Sequence, residues 1–483
     1  MAYCARAGIG LMLFNSFQFI LFFVAVFGLY LALPRRGQNR LLLLSSYLFY
    51  GAWDWRFLGL LAFSTVADYY FGRWIEDAPD TRRRKQIVAA SMVVNLSCLG
   101  FFKYFNFFTE NFTALCGWFG VTPDLPTLNV VLPVGISFYT FQSMSYVIDV
   151  YRRRLTASRR LEDFALYVAF FPQLVAGPIE RATNLLAQIT SDRRVSHFGL
   201  THGAYLILWG FFQKIFVADN LAMIVDSIFA SGANPAGSDV LLGGYAFFIQ
   251  IYCDFAGYSN IARGLALCMG FRFMLNFNLP LLATSPTDFW GRWHLSFSSW
   301  LRDYLFTPLG GFRKGPLLAY RNLMITMALC GLWHGAAWHF VVWGLYEGLM
   351  LAAHRTLIAF KPFARLGEWL VKHRVTLVLC ILFRLQLSAF GALLFRSQSM
   401  AQVGDMLSAL ATGWGTAGAH GWERLLFYIA PLFLFEILQY RARDQYVVLK
   451  WPLLGRVAAY LVLFYAIVVF GMKNAQSFIY FQF

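Results

Sequence analysis

Apolar runs separated by short polar and basic blocks recur along the chain, at residues 11–33, 41–72, 87–108, 129–148, 161–178, 200–217, 240–260, 323–353, 375–395, 425–438 and 457–472. A helix needs about 20 apolar residues to cross a hydrocarbon core, so the runs predict membrane-spanning helices. The stretches 41–72 and 323–353 are long enough for a helical pair each. No soluble domain of ordinary size fits between the runs. The expected fold class is therefore all-α: a polytopic membrane protein of about a dozen spans. The chain reads as one multipass domain over residues 1–483. The first run is preceded by one basic residue, Arg6, and has no clear small-residue cleavage site, which predicts a retained helix and not a removed signal peptide.

Several stretches break the pattern. FFPQLVAGPIER (170–181) places Pro172, Gly177 and Pro178 close together and predicts an interrupted, re-entrant or kinked element. FWGRWHLSFSSWLRDYLFTPLGG (289–311) is too polar to cross lipid freely and too aromatic for a solvated loop. It predicts either an interfacial helix with Trp and Arg anchors or a broken helix lining a cavity. Re-entrant or interfacial pieces are expected near 161–198 and 284–312.

Composition agrees with a lipid solvent: 59% of residues are hydrophobic, 19% aromatic and 13% charged. The excess of 40 Lys and Arg over 24 Asp and Glu does not indicate nucleic acid, because the basic residues lie in short blocks between apolar runs. That is the positive-inside pattern. Arg35, Arg36 and Arg40, then Arg73 with Arg82–Lys85, then Arg152–Arg154 with Arg159 and Arg160, mark cytoplasmic loops. The loop 109–128 has no basic residue, and 218–239 carries Asp219, Asp226 and Asp239 without one, so both lie outside. Basic cytoplasmic regions follow from Arg263 to Arg321 and from His354 to Arg374. Beyond them the count leaves the final side open, because 161–178 can enter and leave on one face.

His334 lies inside one of the most apolar stretches, LWHGAAWHFVVWGLYEG (332–348). An ionisable side chain at membrane depth is costly and normally faces a bundle interior or a water-filled path, which makes it a functional candidate. Imidazole suits proton transfer near neutral pH, and Gly335, Ala336 and Ala337 are expected to leave room beside it for a substrate. His339 is five residues from His334, not the four of a helical zinc pair, and no acidic residue lies between them, so no metal site is expected. Cys4, Cys98, Cys116, Cys253, Cys268, Cys330 and Cys380 show no paired spacing and read as small hydrophobes.

Arg292, Arg302, Arg313 and Lys314 suit an anionic ligand such as the phosphates of a nucleotide carrier, and positive-inside statistics explain them equally well. Asp254 is buried among aromatics in YCDFAGYSNIARGLALCMGF (252–271). LPVGISFYTFQSMSYVIDVYR (132–152) ends on Asp149. Such hydroxyl, amide and aromatic mixtures glue helices together more often than they bind substrate. Glu347 is a weaker intramembrane carboxylate that can equally reach the surface. Candidates to contact substrate or donor are Trp293, Arg292, Arg302, Asp303, Trp333, Asp254 and Gln173.

In their order along the chain, LPVGISFYTFQSMSYVIDVYR, FFPQLVAGPIER, YCDFAGYSNIARGLALCMGFRFMLNFNLP, FWGRWHLSFSSWLRDYLFTPLGG and GLWHGAAWHFVVWGLYEG resemble the membrane-bound O-acyltransferase superfamily. The chain looks most like its bacterial alginate O-acetyltransferase branch, whose relatives include the teichoic-acid D-alanyl transferase. The resemblance is strongest over 11–355; residues 356–483 read as additional transmembrane helices. It implies a ring of tilted helices around a central funnel or tunnel. It also implies that His334, in the Trp-His-Gly motif, is catalytic and that His294, in the Arg-Trp-His motif, lines the same tunnel. Gly291 stands where the family often has an arginine, and Asn260 where an aspartate is common.

The function so implied is transfer of an acetyl group from a cytoplasmic donor, acetyl-CoA, across or within the cell (inner) membrane for O-acetylation of an exported polysaccharide. No cofactor is bound permanently and no nucleic acid is a partner. An extracytoplasmic serine-type acetyltransferase is the implied protein partner. His334 is expected to act as general base on the acceptor hydroxyl, with His294 or nearby donors orienting the acyl group or stabilising the oxyanion. D-alanyl or other acyl transfer from a carrier protein is the alternative donor chemistry. A proton-coupled transporter is the competing class, disfavoured because the halves show no inverted repeat. A scaffold with a degenerate site is the third reading, resting on Gly291.

Overall fold

The computed structural model describes residues 12–128, 131–175, 177–313, 315–414, 419–472 and 478–479. Cys4, Arg6 and Lys314 lie outside them. Among the described residues the regular structure is helical throughout, with no strand. Six helices are long and apolar enough to cross a membrane: Thr81–Trp118, His197–Ile228, Gly237–Cys268, Arg374–Arg396, Gly421–Ala442 and Leu453–Phe470. A shorter apolar helix covers Phe17–Ala32.

Both predicted pairs form. The run 41–72 lies in Arg35–Asp54 and Arg56–Asp77, and 323–353 in Pro316–His334 and Trp338–Ala359. Two expected loops, 109–128 and 218–239, are helical over part of their length. Residues 109–118 continue the preceding helix through a π-helical turn at Gly100–Tyr104, since the first proline beyond the run is Pro123. Asp219 likewise follows a π turn, Phe212–Ala218, and opens the helix Asp219–Ile228 in a buried position.

Contacts divide the chain into two compact units. The first comprises 1–207 and 261–274, and the second 208–260 and 275–483. In the first, the helix Ile136–Tyr151 buries every residue except Ile148 and Tyr151. Its polar side chains act as glue, as their composition predicts: Gln142 donates to the Tyr167 carbonyl and accepts from Gln173 Nε2 at 2.8 Å. Nearby, Asp68 accepts from Ser91 Oγ at 2.7 Å and from Asn95. The predicted interruption at 170–181 is present: Leu161–Ala169 ends at Phe170, and a single turn, Phe171–Leu174, holds Pro172.

In the second unit the helix ends around residues 218–239 are tied to the C-terminal helices. Gly237 N donates to Gly413 O at 2.8 Å, Asn220 Nδ2 to Phe470 O at 3.0 Å, and Arg396 pairs with Asp226 at 2.9 Å. Within this unit the helices Pro316–His334 and Trp338–Ala359 form the tightest hairpin. A Cβ at Gly331 would overlap the Phe340 carbonyl, and one at Gly344 the Met327 carbonyl, so glycine lets the two backbones touch.

Candidate active site

His334 is the last residue of Pro316–His334, where Gly335 turns to extended backbone and the hairpin reverses. Its ring is 4% exposed by residue and is walled by aromatic rings: Trp333, Trp343 and Phe395 lie at 4.9, 5.1 and 5.1 Å between centroids. The room expected at Gly335 is taken by protein, because a Cβ there would overlap the Phe340 ring. Free space lies on another side of the imidazole. A cavity of ≈ 40 Å³ is bounded by His334, Trp293, Trp343, Glu347, Phe248 and Phe395.

His294 is placed by a chain break. The helix Pro286–Trp290 begins with Ser285 capping Asp288 N and stops at Gly291. His294 then adopts φ 43°, ψ 53°, a left-handed conformation rare for a residue with a Cβ, before Leu295–Leu301 starts. Strain of this kind persists where the surroundings over-determine it and clusters at functional sites. Here the clamp is segment 276–278, with Asn278 N donating to Arg292 O at 2.9 Å and Leu295 N to Asn276 O at 2.8 Å. His294 is 1% exposed, and its Nδ1 lies 3.1 Å from Asn276 Oδ1.

The two imidazoles share their packing. Phe297 lies 5.0 Å from His294 and 6.0 Å from His334 between centroids, and Trp333 lies 6.1 and 4.9 Å from them. Trp333 stacks on Phe297 at 4.1 Å. Trp293 stacks on Phe289 at 5.3 Å and lines the cavity at His334. Of the sequence candidates, His294, Trp293, Trp333 and His334 therefore come together.

The other candidates are engaged elsewhere. Arg292 pairs with Asp288 at 2.7 Å and lies over the Tyr440 ring. Arg302 pairs with its neighbour Asp303 at 2.8 Å, with the arginine 66% exposed, on a π turn of a broken helix. Gln173 belongs to the first unit and bonds Gln142. Asp254 meets Lys214 Nζ and accepts from Ile479 N at 2.7 Å. Lys214 also pairs with Asp219 at 2.8 Å, and all three side chains are at most 3% exposed. Glu347 does not reach the surface: it is 3% exposed, pairs with buried Arg384 at 3.3 Å and accepts from Trp290 Nε1 at 3.1 Å.

Three buried polar residues described above were not singled out from sequence. Lys214 and Arg384 satisfy the rule that marks His334, an ionisable residue inside an apolar run. Asn276 carries no such signal.

A family model described as MBOAT, membrane-bound O-acyltransferase family, matches residues 154–391. A probable alginate O-acetylase of Pseudomonas putida is 38% identical over 98% of this chain and 100% of its own length. One of Azotobacter vinelandii is 44% identical over 77% of this chain and 75% of its own. A peptidoglycan O-acetyltransferase of Helicobacter pylori is 32% identical over 71% and 70%.

Proposed function

The chain belongs to the membrane-bound O-acyltransferase family and is a multipass membrane acyltransferase, and from that premise we propose that it O-acetylates an exported polysaccharide from the cytoplasmic donor acetyl-CoA. The observation that carries the proposal is the pair of buried imidazoles packed on Phe297 and Trp333. His334 takes the proton of the acceptor hydroxyl as its oxygen attacks the thioester carbonyl. The new C–O bond forms, the C–S bond breaks, and the imidazolium returns the proton to the departing thiolate. His294 is the second imidazole of the site. The aromatic walls exclude water, which competes with the acceptor for the acyl group.

The acceptor class follows from relatives whose names specify alginate and peptidoglycan. In this reading the protein works in the inner membrane, with the donor on the cytoplasmic side and an extracytoplasmic serine-type acetyltransferase completing delivery to the polymer. Arg292 and Arg302 remain the proposed contacts for donor phosphates, with Asp288 and Asp303 as the partners a phosphate would displace.

The test is release of free coenzyme A from acetyl-CoA by the purified full-length protein with a hydroxyl acceptor. Release should depend on the acceptor and on His334. Acceptor-dependent release at an undiminished rate in His334→Ala would remove the assignment. Release from an acyl carrier protein but not from acetyl-CoA would replace the donor.

A further inference from the structure

Asn276 holds His294 through a network whose polarity can be read atom by atom. Its side-chain nitrogen donates to Ser259 Oγ at 3.1 Å, and its side-chain oxygen accepts from Ser296 Oγ at 2.9 Å. That same oxygen lies 3.1 Å from His294 Nδ1. In this orientation of the amide the oxygen only accepts, so the contact calls for a proton on Nδ1. Among the described residues Nε2 is buried and has no hydrogen-bond partner. Asn276 is itself 1% exposed, and its backbone carbonyl receives Leu295 N, so both ends of the contact are fixed to the same clamp.

We infer that Asn276 is a positioning residue of the transfer reaction: it fixes His294 in the Nδ1–H tautomer, so that the second imidazole meets the substrates with the Nε2 lone pair and acts as a hydrogen-bond acceptor. The inference rests on the acyltransferase reading and refines it. An unprotonated Nε2 has no hydrogen to give an acyl oxygen, so His294 works on the hydroxyl side of the reaction and is not an oxyanion donor. This narrows the expectation from sequence that His294 or nearby donors orient the acyl group or stabilise the oxyanion. A partner that sets a histidine's tautomer and direction controls which nitrogen reacts, and the left-handed backbone at 294 is the conformation that delivers the ring to Asn276.

The experiment uses full-length protein in nanodiscs with acetyl-CoA and a hydroxyl acceptor. Asn276→Ala should lower kcat about 10- to 100-fold, the size of loss seen when the orienting partner of a metal-bound histidine is removed, with the KM for acetyl-CoA little changed. Asn276→Asp keeps an oxygen facing Nδ1–H and should recover most of kcat. Because a carboxylate favours the protonated ring, its acidic limb of kcat against pH should move upward by about one unit. A merely structural asparagine predicts that Ala and Asp lose activity together with an unmoved limb, and that result would overturn the inference, as would wild-type kcat in Asn276→Ala. Nitrogen-15 NMR of His294 in the unsubstituted protein reads the tautomer even where a variant misfolds: protonated Nδ1 with bare Nε2 is expected, and the reverse excludes the inference. Loss of transfer in His334→Ala beside normal transfer in Asn276→Ala would remove this inference alone.

Discussion

The hairpin carrying His334 and the broken segment carrying His294 hold their imidazoles by different means. Around His334 the tight packing is prominent: glycines 331 and 344 bring two helices into backbone contact, and four aromatic rings lie against the side chain. Around His294 the arrangement is built on a left-handed residue, two clamping backbone bonds and an asparagine on the ring nitrogen. Close packing orients a ring, and a hydrogen-bond partner on one nitrogen also selects its tautomer.

The largest expected effect breaks the comparison at its first member. His334→Ala should lower acyl transfer by about 100- to 10,000-fold, the usual worth of general-base assistance, with the protein still inserted; coenzyme A release per mole of folded protein measures it. Lys214→Met separates chemistry from scaffold. It leaves Asp219 and Asp254 buried without their shared cation, and breaking a buried pair of this kind costs about 3–5 kcal/mol. A fall in the thermal midpoint in detergent, largely rescued in Lys214→Arg, is expected.

Gly344→Val probes the steric setting. Its side chain must displace the Met327 carbonyl, and overpacking typically costs about 1–3 kcal/mol. Loss of both stability and transfer should follow, with no recovery of the kind Asn276→Asp should show at the polar site. The smallest effect is Arg302→Gln, where an exposed pair with Asp303 contributes about 0.2–1 kcal/mol. Its melting should be nearly unchanged, while a raised KM for acetyl-CoA would identify Arg302 as a phosphate contact.

Helices, hairpins and breaks were legible because lipid allows little else: apolar length gives the spans, and Pro172 and the polar aromatic segment after Phe289 mark where regular structure stops. His334 was legible as an ionisable residue in an apolar run. The same criterion applied to Lys214 identifies the buried triad, but ending its run at 217 puts Asp219 in a loop, while the helix continues through a π turn that hydropathy does not reveal. Asn276 was illegible for another reason. Its contact with His294 spans 18 residues through irregular backbone, with neither period nor motif spacing to announce it. Room at Gly335 was inferred from the missing side chain, and in the fold a neighbour's ring fills it.

That two imidazoles on separate elements form one reaction centre is tested most directly by a double-mutant cycle on transfer, using His334→Ala, His294→Ala and the double variant at equal folded concentration. Residues acting as a unit are strongly non-additive, so the double variant should be little slower than the more damaged single one. Losses that multiply independently would contradict a shared centre.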